Sequence, residues 1–266
     1  MEKGKNYKYI TEITGTTKVQ NIKSDFTIYT KNEILYKGVD EENGLHRFLV
    51  KETEYELSQY EDPIMAQIAE MTNRICSIYK ELDIGINGTG TLKKMYNKNE
   101  IRKKWQLVKE WLTNAHPLES YEIIRAKELE LSNDDLELKN VGFIHFLQQY
   151  FYIFGRQANS TSTSYIRKDE MDRFGAGIVI PITLGFTQKN EDGKLVKRFE
   201  GKMTREENVI GRLRNFAKDK FMHPEYTMKG KYTYEDNLLA ESDFTITEEL
   251  GEHYYTHTFL HLKLEE

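Results

Sequence analysis

The chain is short of cysteine, proline and long apolar runs and has no net positive charge, and each shortage removes a class of protein. Its 266 residues include one cysteine, Cys76. No intramolecular disulfide and no cysteine-rich zinc site can therefore be built. A reducing compartment fits that usage, so the expected location is cytoplasmic, with a trimmed export signal left open. Four prolines exclude long proline-rich linkers. No apolar stretch approaches the roughly 18 residues a membrane helix needs. The longest candidates, around Phe143–Phe154 and Ile178–Phe186, are interrupted by polar residues, glycine or proline. Met1–Tyr7 shows no apolar signal-peptide core. The net charge of −5 argues against a dedicated nucleic-acid binder, which is usually basic.

What is present is enough for a core: 38% hydrophobic residues, 12% aromatic, with 17 tyrosines. That aromatic content is unlike a disordered chain. Strand-like alternation of period two marks Tyr7–Ile13, Phe26–Tyr36 and Leu45–Leu57. In the last of these Glu52, Glu54 and Glu56 share one face. Asp62-Pro63 then opens a helix, with Ile64, Ile68, Met71, Ile75, Ile78 and Leu82 as its apolar stripe. Leu82–Ile86 and Leu92–Tyr96 flank Asn87-Gly88-Thr89-Gly90, a hairpin turn. Helices follow over Glu100–Leu112 and Ser120–Leu131. A further helix begins at Ser132–Asp135, carries Phe143, Phe146, Leu147, Tyr150, Phe151 and Phe154, and stops at Gly155.

Residues 157–164 lack apolar periodicity, and 157–168 is the candidate flexible boundary in what otherwise reads as one unit over 1–266. Strands resume over Gly177–Phe186 and Lys194–Met203. Thr204 and Glu207 have capping-box spacing before a short helix. Three strands, near Tyr226–Tyr234, Leu238–Thr247 and His253–Leu264, close the chain. Strands, then helices, then strands predict an α+β fold: an antiparallel sheet made by the N- and C-terminal strand runs, packed against a central group of helices.

Motifs for chemistry are scarce. His253, His257 and His261 are spaced by four, but the segment is β-branched and aromatic. In a strand, residues four apart are about 13 Å apart, too far for one metal ion. They read instead as one strand face with Tyr255 and Phe259. The glycines at 85, 88 and 90 lack the Gly-Lys-Ser/Thr ending of a phosphate loop. No serine has a nucleophile-elbow setting, and Cys76 reads as a buried, inert thiol. Acids dominate Gly38–Asp62, eight against two bases, and bases dominate Lys93–Lys109, seven against one acid. Helix residues such as Arg102, Lys103 and Lys109 are expected to face water opposite Trp105.

Neither a catalytic residue set nor a cofactor or metal site is predicted. The first expectation is a non-catalytic protein-binding protein, for example an immunity or inhibitor protein that neutralises a toxin or effector. Its partner would be another protein, met through Glu52, Glu54 and Glu56 and through Tyr255, His257, Phe259 and His261. The alternative is a carrier of an apolar small molecule or lipid in a sheet–helix pocket lined by Phe143, Phe146, Tyr150, Phe151 and Phe154. The third is an enzyme using dispersed residues, with His257, His261 and Glu248 as first suspects.

Overall fold

The structure, a computed structural model, describes residues 1–57, 63–117, 120–156 and 163–265. The strands are β1 (Asn6–Val19), β2 (Ile22–Asp40), β3 (Leu45–Leu57), β4 (Glu81–Ile86), β5 (Leu92–Met95), β6 (Ser164–Met171), β7 (Val179–Glu191), β8 (Lys194–Met203), β9 (Glu225–Glu235), β10 (Leu238–Leu250) and β11 (Tyr254–Leu264). The helices are α1 (Pro63–Cys76), α2 (Lys98–Ala115), α3 (Ser120–Ser132), α4 (Asp134–Val141), α5 (His145–Phe151) and α6 (Glu207–Ala217).

All eleven strands belong to one antiparallel sheet, ordered β5-β4-β3-β2-β1-β11-β10-β9-β8-β7-β6. The N- and C-terminal strand runs therefore do share a sheet, joined where β1 lies beside β11. The fold is α+β, as expected, but the sheet outweighs the helices. By contact density the chain divides into two units. The first is Met1–Tyr9, Thr30–Arg156 and Glu265–Glu266; the second is Ile10–Tyr29 and Gln157–Leu264.

In the first unit, α2 buries Ile101, Trp105, Val108 and Leu112, the stripe at three- and four-residue steps that the sequence predicts. On α1, Met71 is buried but Ile68 is half exposed. Cys76 is also exposed, which corrects the buried thiol expected there. The basic face of α2 is not simply solvated. Arg102 donates to the Leu131 carbonyl at 2.6 Å and pairs with buried Glu137 at 3.5 Å, and Lys109 pairs with Glu128. Arg102 thus ties α2 to the α3–α4 junction.

The predicted aromatic helix is two helices. Asn133 caps α4, its side chain accepting from the Leu136 N–H, but the helix ends at Val141 and α5 starts at His145. Glycine at 142 lowers the helix's own preference, and the break brings α5 onto the strands. Phe48 meets Phe151 with ring centroids 5.0 Å apart, and Tyr9 meets Tyr150 at 5.3 Å. Two glycines allow close approach at the end of α5. A Cβ on Gly90 (φ +81°) would fall 2.1 Å from the Phe151 carbonyl oxygen. One on Gly155 (φ +66°) would fall 2.1 Å from that of Gly88. Asn87 builds the turn itself, its side-chain oxygen accepting from the Thr89 and Thr91 N–H groups.

In the second unit, α6 closes a cluster of Ile178, Val209, Leu213, Met222 and Leu250, with Phe174, Phe216 and Tyr254 against it. The capping box does not form. The helix begins at Glu207 after Glu206, and the Thr204 hydroxyl bonds the Thr183 hydroxyl at 2.9 Å instead. Strand β6 was not predicted, because 157–168 read as a boundary. Residues 157–162 lie outside those described, and β6 begins at Ser164.

Candidate functional site

Side chains alternate between the two faces of a strand, and the registers of β6 to β11 bring the same parity together across six strands. One row runs Tyr165, Gly185, Glu200, Lys229, Thr245, Phe259; the next runs Thr187, Arg198, Lys231, Asp243, His261. Residues one step away in every strand point to the other face. There Ile182, Leu184, Tyr232, Phe244, Leu260 and Leu262 are fully buried. The sheet of this unit therefore has a buried aliphatic and aromatic face and an open one.

The open face is concave. It holds a groove of about 1050 Å³ lined from all six strands, including Tyr165, Thr183, Gly185, Thr187, Lys229, Lys231, Thr245 and Phe259. Aromatic side chains mark its two ends: Tyr165 on β6, 71% exposed, and Phe259 on β11, 36% exposed. Between them the lining is short. Gly185 offers no side chain, and the threonines offer a methyl and a hydroxyl. Gly230 adds backbone only, because the Phe199 ring lies where its Cβ would be, on the buried face.

The charges of the groove are partly matched from within. Arg198 donates two hydrogen bonds to Glu191, at 2.7 and 2.9 Å. Lys202 sits 3.5 Å from Glu200. Asp243 is held by His261 Nδ1 at 2.8 Å, and His257 Nδ1 meets the Thr247 hydroxyl at 2.9 Å. The two hydrogen bonds from Arg198, with the charges of Arg198, Lys231 and Lys189, keep Glu191 below the usual carboxylate range, against the opposing effect of desolvation.

The buried face carries a polar cluster around Glu248. Glu248 is fully buried; one oxygen accepts the Arg173 backbone N–H at 2.6 Å, and the other accepts no hydrogen bond among the described residues. The Arg173 guanidinium lies 3.8 Å from buried Glu170 and 3.4 Å from the Tyr226 hydroxyl. Asp172 receives the N–H groups of Phe174, Ala176 and Ile178, fixing the loop that carries Arg173. Burial pushes Glu248 up to about 8, against the Arg173 N–H, which favours the charged form.

The predicted candidate residues separate accordingly. Phe259 lines the groove, with His261 beside Asp243 and His257 one step along; Tyr255 continues the same row on β11. Glu52, Glu54 and Glu56 lie on β3 in the first unit. They do not form a free acidic face, since Glu54 is bonded by Lys31 at 2.9 Å and Glu52 lies 3.8 Å from Lys80. Burial raises Glu52, because its row continues that of buried Phe48 and Val50. Phe146, Tyr150, Phe151 and Phe154 pack ring against ring, with centroids 4.9 to 5.5 Å apart along the series, and Phe143 lies half-buried between α4 and α5. Glu248 pairs in register with Thr256, so it faces away from His257 and His261. The sheet itself separates Glu248 from His257 and His261. Among the described residues no group of histidine, cysteine and carboxylate side chains could hold a metal ion.

Sequence reasoning missed Tyr165, Gly185, Lys229 and Lys231. Their signal was the alternation itself, Thr183-Leu-Gly-Phe-Thr187 and Lys229-Gly-Lys231, which gives a wet face but not a shared one.

The fold is a large antiparallel sheet, and the strands β6 to β11 of its second unit carry the groove on their open face. No protein-family model matches the chain, and no curated protein matches it. A solved structure described as lipid–protein interactions in lipovitellin is similar in fold. Its TM-score is 0.52 at 10% sequence identity, over all of this chain and 25% of that one. The chain thus spans a quarter of that protein's length. Among the described residues no helix is long and apolar enough to cross a membrane.

Proposed function

We propose that the protein is a non-catalytic carrier that holds a lipid-like molecule along the open face of β6 to β11. The observation that carries this reading is the groove: about 1050 Å³, at the upper end of ligand-site sizes, with a continuous floor of threonine, glycine and lysine stems between two aromatic residues. A long, thin, flexible ligand fits such a trough better than a compact one. The likeness in fold to lipovitellin, whose structure is described by its lipid–protein interactions, supports the same reading. In this reading the ligand lies on the open face rather than among Phe146, Tyr150 and Phe151, whose rings already occupy one another's contact surfaces.

Titration with a fluorescent acyl-chain probe tests it. Saturable binding, displaced by an unlabelled single-chain lipid and lost when Gly185 is replaced by tryptophan, is the expected result. Binding that is insensitive to Gly185→Trp would move the ligand elsewhere. Docking of another protein is the second reading, favoured by the row of Tyr255, His257, Phe259 and His261 on that same face. Nothing in the groove points to a toxin or effector as that partner.

A further inference from the structure

Lys229 and Lys231 sit two residues apart on β9, side by side on the floor of the groove, with Cα atoms about 7 Å apart at strand spacing. Their register neighbours would ordinarily neutralise them. Glu200 stands opposite Lys229, and Asp243 opposite Lys231. Yet Glu200 lies by Lys202, and Asp243 is held by His261. On the other flank Lys231 faces Arg198, a like-charged cross-strand pair of the kind that costs stability; Arg198 in turn is turned onto Glu191. Among the described residues neither lysine lies within ion-pairing distance of a carboxylate. The groove therefore has two adjacent ammonium groups that form no ion pair of their own, although Lys231 is near enough to Glu191 to help lower its pKa, and they lie between aromatic residues that suit an apolar chain.

Resting on the carrier reading, we infer that Lys229 and Lys231 seat the anionic head of the ligand, a carboxylate or phosphate, while its chain runs along the groove. An anion bridging two ammonium groups forms charge-assisted hydrogen bonds to both. At a half-open site these weaken with salt. The ligand class is then an acidic single-chain lipid, and neutral lipids of the same chain length are discriminated against.

The test uses the intact chain and four probes: a long-chain fatty acid, a lysophosphatidic acid, a monoacylglycerol of the same chain length, and inorganic phosphate. The two acidic lipids should bind at least ten-fold tighter than the monoacylglycerol, and more weakly as salt rises. In the double variant Lys229→Gln, Lys231→Gln that preference should collapse while the thermal midpoint does not fall, because both side chains are exposed and the like-charged pair with Arg198 is relieved. Equal binding of the monoacylglycerol, unchanged in the double variant, would overturn the head-group seat and leave the carrier reading standing. Phosphate binding as tightly as the acidic lipids would overturn the role of the chain. If no lipid binds, the carrier reading fails and the inference goes with it.

Discussion

The two faces of the second unit's sheet are built from the same strands by the same alternation, yet they do opposite work. On one face Ile182, Leu184, Tyr232, Phe244 and Leu260 are buried and interlocked, with Phe199 against Phe244 at 5.2 Å. On the other, one residue along, stand Thr183, Gly185, Lys229, Lys231 and Thr245, short or flexible side chains around an open groove. Under the carrier proposal stability and binding are assigned to alternate residues of each strand, so substitutions should separate the two cleanly.

The largest effect belongs to the buried face. Phe244→Ala should cost about 3–5 kcal/mol by loss of transfer energy and cavity formation, read as a lower denaturant midpoint. The molecules that remain folded should keep their ligand affinity. A comparable loss of affinity at full folding would break the division between faces.

Glu248 is a buried carboxylate on that face, and its effect depends on pH. Its pKa is about 8 when folded, against an ordinary carboxylate value of 4.5. Between those values the native state binds more protons than the unfolded state, so stability falls as pH rises through that window. The contribution is on the order of a few kcal/mol. Glu248→Gln should flatten it, leaving a variant more stable than the parent at pH 8 and similar to it at pH 4. Urea titrations at a series of pH values check this; a parent whose stability rises from pH 5 to 8, with no change in slope in the variant, would contradict the assignment.

Open-face changes should act on binding alone. Gly185→Trp adds a ring to the middle of the trough. Its Cβ would lie 3.0 Å from the Tyr165 ring, the mobile end of an exposed side chain that can move aside. Affinity should fall at least ten-fold, with a stability change under about 1 kcal/mol. Phe259→Ser, at the other end, should weaken an acyl-chain probe only a few-fold. Equilibrium binding and a thermal scan on the same samples would expose any trade between the two properties.

Much of this sheet was legible because alternation is a local signal. Leu45–Leu57, Lys194–Met203 and the three closing strands were all recognisable, since their apolar residues recur every second position. Strand β6 was not. It is the last strand of the sheet, and an edge strand carries charges such as Arg167, Asp169 and Glu170 in place of an apolar rhythm. The α4–α5 break was hidden for another reason: tertiary contacts with Tyr9 and Phe48 outweigh the helix pattern. Thr204 has the right spacing for a cap, but its hydroxyl meets Thr183, a partner 21 residues away.

The groove was legible only as fragments. The row Tyr255, His257, Phe259, His261 was visible as a strand face, whereas its alignment with Lys229, Glu200, Gly185 and Tyr165 depends on five inter-strand registers. No single segment contains that information. The acidic row Glu52, Glu54, Glu56 was legible only in part: the pattern shows the acids but not Lys31 and Lys80 beside them.

The most direct test of the carrier account is native mass spectrometry of the protein purified from its own host without denaturant or detergent. The account predicts a bound mass of a few hundred daltons on the parent chain, released as an acidic lipid on unfolding and missing from Gly185→Trp. A bare parent chain, or one that carries only a second protein on this face, would contradict it.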